Sequence, residues 1–308
     1  MQDFDGRVAF ITGGASGVGF GQAQVFGRLG CRIAIADVRR EPLDDAVRRL
    51  AAEGVDVHGV QLDVRDREAW ARAVDEVEDR FAGPVTLLFN TAGVNGFGPL
   101  DAATYADFDW VMGVNFGGVV NGIQTVLPRM IRAGRGGHIV SVASMAGFEG
   151  SPAAAIYAAS KAAVINLMES YALSLGAHGI GASVLCPASV RSDIAHALDR
   201  RPDDLADGSS FRADPGFVAA QQRLYEGGMD PVELAEHVRH AIEHDLLYVL
   251  PFAETREGLR RHYEQILAAY DDYRTDPDAA AERLRAFEQY RAESVRLRAS
   301  AAGGATIR

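Results

Sequence analysis

The stretch Val8-Ala-Phe-Ile-Thr-Gly-Gly-Ala-Ser-Gly-Val-Gly19 decides the fold of this chain. It begins with a short apolar run typical of a strand, and a helical pattern follows its glycines to about Leu29. Glycines between a strand and a helix allow a tight turn and a close approach of the backbone to a pyrophosphate at the helix N-terminus. The stretch therefore predicts the first unit of a dinucleotide-binding α/β fold.

An acidic residue ends the next predicted strand, which covers residues 32–36. Asp37 stands about 20 residues beyond the glycine turn, where a carboxylate can accept hydrogen bonds from both hydroxyls of an adenosine ribose. The same charge would repel a 2′-phosphate, so the sequence favours NAD. Arg39 and Arg40 follow closely and keep NADP as an alternative, and Asp37 could also be a simple turn residue at a strand end.

Strand and helix patterns alternate along the rest of the chain. Further strands are predicted at residues 55–60, 85–89, 138–142, 179–186 and 246–250, with helices at 41–53, 67–81, 105–131 and 155–175. Such alternation is typical of a parallel sheet with right-handed crossovers. We predict an α/β doubly wound Rossmann fold, with seven parallel strands and helices on both faces.

Two regions stand apart from this repeat. Residues 191–229 are rich in Asp, Arg, Gly and Ser and follow a strand end, where ligands bind in open α/β sheets. We interpret them as a substrate lid, with an inert surface insertion as the alternative. Residues 1–251 form the predicted catalytic domain and residues 252–308 a helical extension. The apolar stripe of this extension, Leu259, Tyr263, Ile266 and Leu267, is expected to pack on the body or on a partner chain.

Composition restricts the classes of function. The net charge of −11 and the pI near 5.2 argue against nucleic acid or an anionic membrane as the main partner. No apolar run reaches about 18 residues, and the N-terminus lacks the layout of a signal peptide. We therefore expect a cytoplasmic protein in which Cys31 and Cys186 are buried free thiols. His237, His240 and His244 share one helix, but no acid or cysteine spacing completes a familiar metal site, so none is predicted.

Lys161 is the only lysine of the chain and follows Tyr157 by one helical turn in Tyr157-Ala-Ala-Ser-Lys161. An ammonium group beside a phenol favours the phenolate and lowers the pKa of the tyrosine, as a general acid or base near neutral pH requires. The alternative is a chance pair on a solvated helix face.

Several separated motifs in the right order resemble the short-chain dehydrogenase/reductase family over residues 5–251. They are Thr12-Gly-x-x-x-Gly17-x-Gly19, Asn90-Thr-Ala-Gly93, Asn115, Ser144, Tyr157-x-x-x-Lys161 and Pro187-Ala-x-Val-x-Ser192. The departures are modest: Thr91 stands where the family often has Asn or Ala, Ala188 replaces a common Gly, and Ser192 replaces a common Thr.

The resemblance implies roles for individual residues. Tyr157 would exchange a proton with the substrate oxygen, Lys161 would lower its pKa and bind the nicotinamide ribose, and Ser144 would hold the substrate. Asn115 would hold a water molecule in a proton relay. The implied cofactor-binding residues are Gly13, Ser16, Gly17, Val18, Gly19, Asp37, Asp63, Val64, Asn90, Ala92, Gly93, Tyr157, Lys161, Pro187, Val190 and Ser192.

A closer resemblance involves the bacterial Cα-dehydrogenases of lignin β-aryl-ether breakdown. It rests on Met1-Gln-Asp-Phe4, on the runs 14–21 and 90–99, and on Tyr248-Val-Leu-Pro-Phe-Ala-Glu-Thr-Arg-Glu-Gly258. It implies NAD-dependent oxidation of a benzylic secondary alcohol to a ketone by a homo-oligomer. The alternatives are a broad-specificity or steroid-type ketone reductase and a non-enzymatic dinucleotide sensor. Substrate contacts are expected from residues 94–97 and 145–152 and from lid aromatics such as Phe211, Phe217 and Tyr225.

Overall fold

The computed structural model of the chain describes residues 1–206 and 208–303. Its centre is a seven-stranded parallel sheet in the order β3-β2-β1-β4-β5-β6-β7. The strands are β1 Val8–Thr12, β2 Arg32–Asp37, β3 Val57–Gln61, β4 Val85–Asn90, β5 Gly137–Val142, β6 Ile180–Leu185 and β7 Tyr248–Val249. The strand order reverses between β1 and β4, and this point is where open α/β sheets bind dinucleotides.

Eleven helices are assigned among the described residues. They are α1 Gly17–Arg28, α2 Arg40–Ala52, α3 Arg67–Phe81, α4 Tyr105–Met112, α5 Gly118–Ala133, α6 Ala155–Leu175, α7 Asp203–Ala206, α8 Pro215–Glu226, α9 Pro231–Glu243, α10 Arg256–Ala268 and α11 Pro277–Gly303. Nowhere in the described part of the chain is a helix long and apolar enough to cross a membrane.

Alternating strand residues supply the two hydrophobic cores. Ala9 and Ile11 of β1 point into the core shared with α1, α2 and α9. Val8 and Phe10 point into the opposite core, which α3, α5 and α6 cover. Because successive side chains of a strand face opposite sides, one continuous apolar strand serves both layers. The predicted doubly wound architecture is confirmed.

The structure differs from the sequence prediction in some element bounds. The helix predicted over 105–131 is interrupted by a π-helical turn, Gly113–Gly117, which separates α4 from α5. The last strand is two residues long rather than five. The third strand begins at Val57 rather than Val55, whose backbone N–H instead donates to the Leu50 carbonyl of α2 at 3.1 Å.

The predicted lid, residues 191–229, contains more helix than its composition indicates. Its first part is a 3₁₀ segment, Ile194–Arg200, followed by α7, and its second part is α8. Residue 207 of the predicted lid and residues 304–308 of the predicted extension lie outside the described residues. Leu259 of the predicted stripe is half-buried, whereas Tyr263, Ile266 and Leu267 are exposed, so the described residues leave most of the stripe uncovered.

Candidate active site

A cavity of about 670 Å³ lies between the carboxyl ends of the strands and the lid. Most of the residues predicted from the sequence line it: Gly13, Ser16, Gly17, Val18, Gly19, Asp37, Asp63, Val64, Ala92, Gly93, Ser144, Tyr157, Lys161, Pro187, Val190 and Ser192. Asn90 and Asn115 stand outside this lining and lie behind the cavity wall. Tertiary structure therefore brings segments from the whole catalytic region to one place.

The glycine turn has no room for a side chain at Gly13 or Gly19. Gly13 and Gly17 adopt positive φ angles of +65° and +52°, which favour glycine. A Cβ atom on Gly19 would lie 2.3 Å from the carbonyl oxygen of Gly13, so the turn packs directly on the first turn of α1. This close-packed glycine turn at the N-terminus of α1 fits a pyrophosphate.

Asp37 lies at the end of β2 and is 7% exposed. Its carboxylate accepts hydrogen bonds from the backbone N–H of Arg39 at 3.0 Å and from the Nε and Nη2 of the same residue at 3.0 and 3.1 Å. The Arg39 guanidinium also donates to the Ser16 hydroxyl at 3.3 Å. In the chain by itself, the Asp37 carboxylate, which was predicted to bind the ribose, therefore forms an ion pair with Arg39. Arg39 is one of the two arginines that kept NADP as an alternative in the sequence.

Asp63 shows a similar local pairing. Its carboxylate accepts from the backbone and the guanidinium of Arg65, at 2.9 Å from the backbone nitrogen. Burial acts to raise the pKa of Asp63, but the bonds from Arg65 hold it below its ordinary value. The Val64 carbonyl accepts from Trp70 and Asn121, which fixes this loop at the cavity edge.

The loop after β4 is held from behind by polar contacts. The Thr12 hydroxyl accepts from the backbone N–H groups of Thr91 and Ala92 at 2.9 and 3.1 Å. Thr91 in turn donates to the buried Gln22 side chain at 2.6 Å. Asn90 donates to the Ser141 hydroxyl at 3.2 Å, between β4 and β5. The unusual Thr91 thus has a structural partner in α1.

Asn115 lies in the π-helical turn and is fully buried. Its amide accepts from the Val94 N–H at 2.8 Å and donates to the Val94 carbonyl at 2.9 Å and to the Ser160 hydroxyl at 3.0 Å. These contacts occupy the amide with the loop that carries Gly93. The predicted role in a water relay stays a prediction.

Ser144, Tyr157 and Lys161 come together as predicted. The Ser144 hydroxyl lines the cavity near the Tyr157 phenol; it donates to the Pro187 carbonyl at 3.4 Å and accepts from the Ala146 N–H at 3.2 Å. The Lys161 Nζ lies 5.5 Å from the centroid of the Tyr157 ring and donates to the Val142 carbonyl at 2.8 Å. Lys161 is 3% exposed, which rules out the alternative of a solvated surface pair.

The pKa of Tyr157 differs from the sequence prediction. Surrounding protein atoms remove solvent from the Tyr157 phenol and raise its pKa well above its ordinary value. The nearby Ser144 hydroxyl opposes this rise only in part. Burial also lowers the pKa of Lys161 to about 8. Because the amine points to Val142 and over the ring, it does not hold the phenol pKa low in the chain by itself.

Sequence reasoning missed three polar residues of this region. Asn95 lines the cavity and is 2% exposed. Arg201 of the lid forms a buried ion pair with Asp107 of α4. Asn95 stood inside a loop expected to contact substrate, but no sequence signal marked Arg201 or Asp107.

The helix α9 brings two of its histidines together with an acid. His240, Glu243 and His244 place one ligand atom each within 4.8 Å of one another. The sequence analysis considered only the histidines of this helix and did not include Glu243. This carboxylate accepts from Arg239 at 2.6 Å, and the two histidine rings lie with centroids 4.1 Å apart and planes tilted by 36°. The expectation of no metal stays a prediction.

The structure confirms the prediction that both cysteines are buried free thiols. Cys31 and Cys186 are both free and buried. Burial raises the pKa of each thiol to about 12, so neither is a thiolate at neutral pH.

Residues 7–203 match the short chain dehydrogenase family. The chain belongs to this family of oxidoreductases. A protein named C alpha-dehydrogenase from Sphingobium sp. (strain NBRC 103272 / SYK-6) is 47% identical over 297 residues, covering 96% of this chain and 97% of that protein.

Solved structures agree with this assignment to the short-chain dehydrogenase family. The apo form of LigD from Sphingobium sp. strain SYK-6 is 46% identical, with a TM-score of 0.74 over 89% of this chain and 100% of that one. A short chain dehydrogenase/reductase from Burkholderia phymatum in complex with NAD is 35% identical, with a TM-score of 0.84 over 90% of this chain and 99% of that one. The predicted family and fold are confirmed.

Proposed function

We propose that this short-chain dehydrogenase oxidises a benzylic secondary alcohol to a ketone with NAD. One observation carries the proposal: the Ser144, Tyr157 and Lys161 side chains meet in the same cavity as the glycine turn and Asp37. The identity of 47% to a C alpha-dehydrogenase over nearly the whole chain supports the alcohol class.

The residues present fit a nicotinamide dinucleotide. The side-chain-free turn at Gly13, Gly17 and Gly19 would hold the pyrophosphate, and Asp37 would bind the adenosine ribose once Arg39 moves aside. The NAD complex of the Burkholderia phymatum relative, at 35% identity, supports this choice of cofactor. When bound, the nicotinamide supplies the hydride acceptor.

The chain's own residues move the proton. The Tyr157 phenolate would take the proton of the substrate hydroxyl, while the Ser144 hydroxyl holds the substrate oxygen in line with it. Lys161 uses one of its three N–H groups on Val142, which leaves two donors for the cofactor ribose and the phenolate. The nearby Lys161 ammonium would favour the phenolate form that accepts this proton, against the burial that raises the phenol pKa.

The cavity wall indicates an apolar substrate. Phe97, Trp110, Met145 and Phe217 line it, and the rings of Phe97 and Phe217 meet edge to face with centroids 5.6 Å apart. Aromatic walls of this kind suit an aryl group.

The test is reduction of NAD with 1-phenylethanol and with aryl-ether alcohols, followed at the nicotinamide absorbance. Tyr157→Phe should lower kcat by roughly 10²–10⁴, the usual contribution of a general acid or base. Binding of NAD, measured by calorimetry, should persist. Tyr171→Phe is the matched control, because this tyrosine of the same helix bonds to Gln124 outside the cavity. Full activity of Tyr157→Phe would refute the mechanism.

Cofactor choice has its own test. The second carboxylate oxygen of Asp37 also binds Arg39, so removal of the acid would free a guanidinium beside the ribose. Asp37→Ser should therefore shift the ratio of kcat/KM values toward NADP. A ratio that stays the same would show that Asp37 does not select the cofactor.

Three further predictions belong with this proposal. A domain boundary at residue 251 and a cytoplasmic location are kept from the sequence. A homo-oligomer is supported by the exposed stripe on α10, which includes Ile266 at 48% and Leu267 at 62% exposure. Light scattering of the purified protein measures its oligomeric state directly.

A further inference from the structure

Asn95 is a buried polar residue whose bonding is incomplete. It follows β4 and is 2% exposed, yet within the described part of the chain its Oδ1 has no hydrogen-bond partner. Buried polar atoms are nearly always paired, and an unpaired one costs free energy. Since Asn95 lines the active-site cavity, a bound molecule can supply the missing donor.

A lid residue faces the same place. Tyr225 of α8 lines the same cavity with its phenol near the Asn95 side chain, but no hydrogen bond joins the phenol to the Asn95 oxygen among the described residues. Burial raises the pKa of Tyr225, which the contact with Asn95 partly opposes, so this phenol keeps its proton at neutral pH. Tyr225 and Tyr157 pack on one cluster that includes Phe97. The amide and this second phenol therefore lie beside the proposed proton acceptor.

The chemistry of the pair is specific. The Asn95 oxygen accepts hydrogen bonds, and a protonated phenol both donates and accepts. A hydroxyl group, which has one donor and two acceptor sites, matches this combination. The wall around the pair is mostly apolar, so these two groups discriminate among substrates more than their neighbours do.

We propose that Asn95 and Tyr225 form a polar subsite that binds a second hydroxyl group of the substrate, next to the alcohol that is oxidised. The inference rests on the proposed function and narrows its substrate class to aryl alcohols with an additional hydroxyl group. That hydroxyl is carried either by the side chain of the substrate or by its ring. Asn95 is thereby a specificity-determining residue.

The experiment compares kcat/KM for three probes: 1-phenylethanol, 1-phenyl-1,2-ethanediol and 1-(4-hydroxyphenyl)ethanol. The wild type should prefer one of the two hydroxylated probes over 1-phenylethanol, and the preferred probe shows where the second hydroxyl lies. Asn95→Leu should lower that preference about tenfold, the usual effect of one neutral hydrogen bond. Tyr225→Phe should lower it in the same direction and keeps the packing of the ring.

The matched control is Gln222→Leu. Gln222 is also an amide on the lid with an unpaired buried oxygen, but it does not line the cavity. The Gln222→Leu variant should prefer the hydroxylated probe over 1-phenylethanol as strongly as the wild type does.

Two results would overturn the inference. One is a wild type without preference for either hydroxylated probe. The other is an equal loss for all probes in Asn95→Leu and no change in Tyr225→Phe, which would assign Asn95 a structural role only. The proposed function fails separately, since it requires oxidation of 1-phenylethanol itself and its loss in Tyr157→Phe.

Discussion

The ion pair between Asp107 and Arg201 should decide whether the lid stays on the body of the enzyme. Asp107 is 1% exposed, and the side chain of Arg201 is 5% exposed. Asp107 also accepts from the Thr104 backbone at 2.7 Å, from the Thr104 hydroxyl at 2.8 Å and from the Ser209 hydroxyl at 2.8 Å. In contrast, the Nε and Nη2 of Arg201 have no hydrogen-bond partner among the described residues.

This asymmetry gives different magnitudes for the two single substitutions. Asp107→Asn leaves Arg201 as a buried cation without a counter-ion, which costs about 3–5 kcal/mol. Arg201→Met removes one charged hydrogen bond while Asp107 keeps the donors from Thr104 and Ser209, so the cost is about 1.5–3 kcal/mol. The double variant has no buried charge left and should be more stable than the sum of the single losses predicts.

Thermal unfolding followed by circular dichroism measures these effects. At roughly 2–4 °C per kcal/mol, Asp107→Asn should lower Tm by at least ~6 °C and Arg201→Met by less. KM for the alcohol should rise in both variants, because Ala197 and Pro202, which precede and follow Arg201 in the sequence, line the cavity. Equal Tm losses in the two single variants, or strictly additive losses in the double variant, would refute the reasoning.

The pH dependence follows from the same contacts. Burial acts to raise the pKa of Asp107, but hydrogen bonds from Thr104, Ser209 and Arg201 hold it below its ordinary value of 3.8. A lowered folded-state pKa means that the stabilisation is complete above 3.8 and is lost as the pH falls through the folded-state pKa. The Tm difference between the wild type and Asp107→Asn should therefore shrink below this pH.

Three further predictions concern the active site. Gly19→Ala should weaken NAD binding in calorimetry by tenfold or more, because its Cβ would lie 2.3 Å from a backbone oxygen of the turn, whereas Gly258→Ala, with nothing within 4 Å, should bind as the wild type does. Lys161→Arg should lower kcat by at least about 10²-fold, because a broad guanidinium does not replace the compact buried amine that bonds to Val142 at 2.8 Å; wild-type kcat in this variant would contradict that account. Since burial raises the pKa of Tyr157, kcat/KM for alcohol oxidation should rise with pH from neutral into the alkaline range, and a profile that is flat there would show that another group accepts the proton.

The sequence predicted those features that depend on local pattern. The glycine turn, the strand that carries it and the alternation of strands and helices are each encoded within a few residues, and the structure confirms them. The tight packing around Gly19 needs no distant information beyond the turn itself. The π-helical turn at Asn115 was not predictable, because its i→i+5 hydrogen bonding covers only five residues, too few to change the hydrophobic pattern of the helix around it.

The sequence could not predict which polar side chains from distant segments form pairs in the folded chain. Asp107 and Arg201 are far apart along the chain, and either could equally be an exposed surface charge. Asp37 matched the pattern of a ribose acceptor, but only the folded loop reveals that Arg39 already occupies its carboxylate.

By itself, the sequence determined the fold, the family and the residues that meet at the reaction centre, since period, turn chemistry and motif order are properties of the chain. Only the tertiary structure decided the protonation of the Tyr157 phenol and the position of Asn95 beside Tyr225. The physical reason is that a pKa or an unpaired polar atom depends on which groups exclude solvent in three dimensions, and those groups come from distant parts of the chain.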